Sequence, residues 1–204
     1  MITFLLTIVP SIILLLYFIL SDKFKEPTST LLLVFFLGFL ICLPAGILNG
    51  LSHDFFYDGS KYSENLTSSF LGPAWAEELL KFSILYLIVL KRNEFNEPMD
   101  GLVYGVVVSL GFATYENYTY VYEWAEQIAK DEGYDFGELS YLVALGRSYS
   151  AIPLHGLNGA VMGYYFGMYV FSGNKNFLVL SLILPYLSHG FYNYLVWPNP
   201  MYII

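Results

Sequence analysis

The chain has 204 residues, 56% of them hydrophobic and 19% aromatic, with a mean hydropathy of +0.55. Only 13% are charged, against roughly 25% in a soluble domain, which points to a multi-span helical membrane protein forming one domain over 1–204. Nine Lys and Arg against 17 Asp and Glu argue against nucleic acid as a partner, and the single cysteine, Cys42, excludes a disulfide or a Cys-based metal site.

Six apolar segments approach the ~20 residues a bilayer requires. They fall at about 2–20, 31–51, 70–90, 101–122, 153–172 and 177–197. The first lacks a basic leading region and a small-residue cleavage site, so it reads as a retained span rather than a signal peptide. The stretch 139–150 is too short to span and is expected to form a separate interfacial helix. With no β-barrel alternation, helices must satisfy the backbone in lipid. The expected fold is therefore all-α, a polytopic transmembrane bundle. Pro73 and Pro153 suit first turns of helices, while Pro44 and Pro185 fall inside spans and predict kinks.

Charge orients the bundle. Lys23, Lys25, Lys91, Arg92 and Lys175 lie in one set of loops, and only Lys61 and Lys130 in the alternate loops 52–69 and 123–138. Those alternate loops also hold most of the acids. The positive-inside rule makes the first set cytoplasmic and puts both termini outside a cell membrane. Small residues recur every fourth position at Gly101, Gly105, Ser109 and Ala113, and again at Gly159, Gly163 and Gly167. Each set lies on one helix face and reads as a close-packing seam.

Ionisable groups at membrane depth are costly and mark candidate function. Glu77, Glu78 and Lys81 lie in the third segment, Glu116 and Asn117 late in the fourth, His155 early in the fifth, and His189 and Asn193 one turn apart in the sixth. Arg147 precedes the fifth and can pair with one of the acids. Under the proposed orientation all of them fall in the outer half of the bilayer, as a shared water-accessible cavity would require. Glu77 and Glu78 lie four and three residues before Lys81, so one carboxylate can simply neutralise the lysine.

Two hydrolytic chemistries suit this set. In one, His155, His189 and a carboxylate such as Glu116 hold Zn²⁺ with an open position while another Glu takes a proton from water. In the other no metal takes part: a Glu activates water with help from His, and His189 and Asn193 stabilise the oxyanion. Spacing does not choose between them. A rival from another class is a proton-coupled transporter, which predicts polar residues in both membrane halves.

The motifs Glu77-Glu78-x-x-Lys81, Asp100-Gly101-Leu102-Val103-Tyr104-Gly105, Gly111-Phe112-Ala113-x-x-Glu116-Asn117-x-x-Tyr120, Arg147, Pro153-x-His155 and His189 resemble the PrsW family of intramembrane proteases. The likeness runs from about 73 to 194. It implies a membrane-embedded peptidase that makes the first cut in a membrane-anchored anti-sigma factor, on the extracytoplasmic side, in a stress response. It also implies Glu77 as the water-activating base, Glu78 paired with Lys81, and Glu116, His155 and His189 as ligands or catalytic partners. The wider superfamily includes CAAX prenyl-protein and bacteriocin-processing endopeptidases. His189-x-x-x-Asn193 fits their last motif, but Lys81 in place of Arg and Phe112-x-x-x-Glu116 in place of a His favour the PrsW branch.

Overall fold

The computed structural model describes residues 1–196; among them there are helices and no strand. Trp197, the last residue of the expected sixth segment, and the C-terminus lie outside the described residues. Helices α1 (Ile2–Ser21) and α2 (Thr28–Phe56) are long and apolar enough to cross a membrane. The later long helices are α5 (Pro98–Tyr118), α8 (Ala151–Ser172) and α9 (Lys175–Val196). Each rises about 31–33 Å, close to the hydrocarbon thickness. Pro44 and Pro185, expected to kink their segments, sit inside unbroken α2 and α9.

The third segment is not one α-helix. A π-helical turn, Phe70–Ala74, precedes α4 (Trp75–Leu87), and a 3₁₀ turn closes it at Val89–Lys91. Pro73, expected in the first turn of an α-helix, lies in the wide turn instead. Its ring nitrogen cannot donate, and the amide of Ala74 reaches back five residues to Ser69 at 3.1 Å. A second π-turn, Thr119–Trp124, follows α5.

The acidic stretches expected as loops each contain a short helix. In one, α3 (Lys61–Thr67) is capped by Ser60, whose hydroxyl accepts from the Ser63 amide; in the other, α6 (Ala125–Glu132) ends at Gly133 with φ +77°. Helix α3 is polar and carries no apolar period, whereas α6 continues a row of Val121, Trp124, Ala125, Ile128 and Ala129 that packs against α7. The expected interfacial helix is α7 (Phe136–Tyr149), capped by Asp135 accepting from the Glu138 amide at 2.8 Å.

Most of α5 is buried, against α1, α2, α4 and α8. Its small-residue stripe meets that of α8. A Cβ on Gly105 would lie 2.2 Å from the Gly159 carbonyl oxygen, and one on Gly163 would lie 1.9 Å from that of Gly101. Gly101 thus faces Gly163 while Gly105 faces Gly159, so the helices run antiparallel. The same register brings the start of α8 beside the end of α5. Val34, Leu85, Val103, Tyr104, Val107, Met162 and Phe166 fill the core around this seam.

Candidate active site

The wide turn before α4 delivers Glu77, Glu78 and Lys81 into the bundle, where they are 3%, 0% and 0% exposed. The Lys81 Nζ lies 2.8 Å from Glu78 Oε1 and 3.8 Å from Glu77 Oε2, so the sequence-based pairing of Glu78 with Lys81 is the one observed. The ammonium also donates to His155 Nδ1 at 3.0 Å and sits 4.3 Å above the Phe112 ring. An ammonium has only donors, so His155 Nδ1 accepts and Nε2 carries the proton donated to Glu116 Oε2 at 2.9 Å.

Glu116 is held from the other side by the Arg147 guanidinium, whose Nη2 is 2.6 Å away. Arg147 Nε donates to Asn117 Oδ1 at 2.8 Å, and Asn117 Nδ2 donates to the Thr7 carbonyl at 2.7 Å. Arg147 also stacks over Tyr120, 4.0 Å from the ring centre. On α9, His189 Nδ1 lies 2.8 Å from Glu78 Oε1 while Nε2 faces Glu77 Oε2 at 3.9 Å. The two imidazoles meet edge to face, 5.1 Å apart. All five residues expected as catalytic therefore converge, with Lys81, Asn117 and Arg147 around them.

Three carboxylates thus face two permanent cations, which leaves a surplus of one negative charge. Glu77 Oε2 and Glu78 Oε2 are both buried without a hydrogen-bond partner, and Glu77 Oε2 faces Lys81 Nζ at 3.8 Å and His189 Nε2 at 3.9 Å. Glu77, His155 and His189 each offer one ligand atom, all within 4.8 Å of one another. Two imidazoles and a carboxylate form a zinc-type donor set, in which His155 can ligate only through Nδ1, the nitrogen that here accepts from Lys81. The sequence reading had grouped Glu116 with the imidazoles. Here Glu116 stands behind His155, claimed by Arg147, and Glu77 takes the place beside them. Each imidazole keeps one nitrogen on a carboxylate, Glu116 or Glu78, which is how ligating histidines are commonly oriented.

Asn193, one turn beyond His189, makes no contact with this cluster. It lines an outer cavity of about 330 Å³ with Asn49, His53, Tyr120, Arg147 and Tyr192. A second cavity of about 310 Å³ reaches Glu77 and Glu116 past Cys42 and Gly46. The two adjoin along Asn49, Pro73 and Tyr120, and the second, between α2 and α5, is the route that reaches Glu77 and Glu116.

Sequence reasoning gave no contact to Phe112, Tyr120 or Thr7. The first two were findable: with Glu116 they form an i, i+4, i+8 row on one face. The Thr7 carbonyl carries no side-chain signal. Because Arg147 uses separate nitrogens for Asn117 and Glu116, Arg147→Lys loses one bond and the ring stacking. Proteolysis by that variant is expected to fall about 10–100-fold, as for other residues that orient a ligand, with Arg147→Gln lower still. Cleavage rates at matched folded protein check this, and full activity in the lysine variant would remove Arg147 from a positioning role.

Fold and site together define a helical bundle that buries a carboxylate–imidazole cluster of hydrolytic type at the end of an internal cavity. Residues 26–204 match the family model described as PrsW family intramembrane metalloprotease. The chain belongs to that family. It is 36% identical over 193 residues to Protease PrsW of Bacillus subtilis, covering 93% of this chain and 80% of the relative. Protease PrsW of Geobacillus kaustophilus is 33% identical over 197 residues, covering 93% and 77% of the two chains, and that of Clostridioides difficile is 31% identical over 199, covering 95% and 78%. No solved structure matches the chain.

Proposed function

We propose that the chain is a multi-pass intramembrane endopeptidase, a single domain of about six spans. It hydrolyses a peptide bond of a membrane-anchored protein, making the first cut in an anti-sigma factor on the extracytoplasmic side. The observation that carries this reading is the convergence of Glu77, His155 and His189 at the inner end of the cavity route, all at one end of the bundle. Family membership supports the peptidase chemistry, and the scarcity of Lys and Arg in the loops beside the cavity supports the extracytoplasmic side.

A zinc ion held by Glu77, His155 and His189 would, when bound, polarise the scissile carbonyl and lower the pKa of a bound water. In this reading the Glu77 oxygen that would not hold the ion takes the proton of the attacking water. The same carboxyl hands that proton to the departing amine as the peptide C–N bond breaks, while His189, whose Nδ1 is bonded to Glu78, presents the lone pair of Nε2 toward Glu77. Glu78 keeps His189 in the required tautomer, and Glu116 does the same for His155. Lys81 and Arg147 balance the carboxylate charge.

Purified protein reconstituted with a tethered anti-sigma factor tests both parts. The expected result is about one zinc per chain and a product whose new terminus lies outside the substrate's span; removing the metal with a chelator lowers cleavage to background. Full cleavage in metal-free protein would leave the peptidase and remove the metal. A cut on the cytoplasmic side, or none, overturns the substrate assignment.

A further inference from the structure

A second carboxylate cluster lies at the far end of α5, about 24 Å along the helix from Glu116. Asp22 follows α1, Glu26 lies in the α1–α2 turn, and Asp100 stands in the first turn of α5. Each offers one oxygen, all within 4.8 Å of one another, and all three residues are buried. Backbone capping accounts for only half of two of them. Asp22 Oδ1 accepts from the Phe24 amide, and Asp100 Oδ2 from the amides of Asn96 and Glu97. Asp22 Oδ2 and Asp100 Oδ1 have no partner, in side chains only 4% and 1% exposed. Glu26 accepts from the Tyr104 hydroxyl.

No protein cation answers this charge. Among the described residues none of the three carboxylates enters an ion pair. The nearest candidate, Lys25, spends its ammonium on the carbonyls of Ile19, Leu20 and Asp22. Buried charges are paired or coordinate metals, and an all-oxygen donor set suits a hard ion. We propose that Asp22, Glu26 and Asp100 bind Ca²⁺ or Mg²⁺, which ties the α1–α2 turn to the start of α5. The ion stabilises the fold and stands apart from the His-containing cluster, whose two imidazoles disfavour hard cations.

The test is thermal unfolding of the full chain in non-ionic detergent, titrated with Ca²⁺ or Mg²⁺ alone to about 10 mM, above the 10⁻⁴–10⁻³ M Kd of weak oxygen-ligand sites. The Tm is expected to rise by about 3–6 °C at ten times Kd. Asp22→Asn and Glu26→Gln keep the acceptor oxygens for Phe24 and Tyr104 and should fold, yet lose the shift; Asp131→Asn, on exposed α6, retains it. Calorimetric titration should show one site per chain in the parent and none in the two variants. An ion-independent Tm in the parent, or an equal shift in the two variants, overturns the proposal. So does a rise in Tm from Glu26→Gln without any ion response, which would mean that the cluster is satisfied by a shared proton.

Discussion

Glu77→Gln is expected to lower proteolysis about 10²–10⁴-fold, the range for loss of a group that transfers protons in the transition state. The fold should survive. Glu77 Oε2 has no hydrogen-bond partner, and Lys81 keeps its closer carboxylate, Glu78, at 2.8 Å. Glutamine keeps nearly the same shape and gives up only long ionic contacts, to Lys81 Nζ at 3.8 Å and His189 Nε2 at 3.9 Å, while removing a surplus buried charge. The Tm should therefore hold or rise while the cleavage rate collapses, and that divergence separates a catalytic from a structural glutamate. His155→Ala is the less clean variant. It strips a partner from both Lys81 and Glu116, so stability falls along with activity. If folded Glu77→Gln protein cuts a co-expressed substrate at the parental rate, the chemistry belongs to another residue.

The largest effect on stability is expected from the seam between α5 and α8. In Gly163→Val, the new Cβ would stand 1.9 Å from the Gly101 carbonyl oxygen and 2.6 Å from its carbon. The obstacle is backbone on a rigid helix, so no side chain can swing aside and the helices must part. A loss above about 3 kcal/mol follows from such overpacking together with the contacts given up along the seam. Gly46→Ala and Gly50→Ala serve as the contrast: nothing lies within 4 Å of either added Cβ. In helical α2 each should be neutral or stabilising by about 0.5–1 kcal/mol. Unfolding of all three in detergent tests the argument, and an unshifted Gly163→Val would show that the helices do not pack this closely.

The seam was legible because a four-residue period survives any choice of partner: two stripes of small residues must each lie against something. That Lys81 meets a carboxylate of its own helix was legible for a similar reason, but spacing left Glu77 and Glu78 open and the structure gives Glu78 the closer contact. The identity of the carboxylate beside the imidazoles was not. Periodicity places a residue on a face of its own helix, but the rotation of that face relative to its neighbours depends on the whole packing. Here a wide turn containing Pro73 also sets the direction from which Glu77 enters. Arg147 then decides the rest. It draws Glu116 to its own side of His155, a competition that spacing along the chain does not encode. Helix α3 escaped for the opposite reason, being polar and too short to show a period, whereas the row Val121, Trp124, Ala125, Ile128 and Ala129 running into α6 was there to be read.

The bond from Asn117 to the Thr7 carbonyl links the site to the least decorated part of the chain. By composition α1 is a greasy rod, and it lies entirely ahead of the residues that match the family model. Yet its backbone supplies the acceptor that fixes the Asn117 amide, and through it the roll of the Arg147 guanidinium. An unremarkable stretch of Leu and Ile thereby acts as a reference edge for the catalytic side chains. Thr7 and Ser11 are buried and Leu14, Leu15 and Phe18 pack on the core, so that face sets the height at which the Thr7 carbonyl stands against α5.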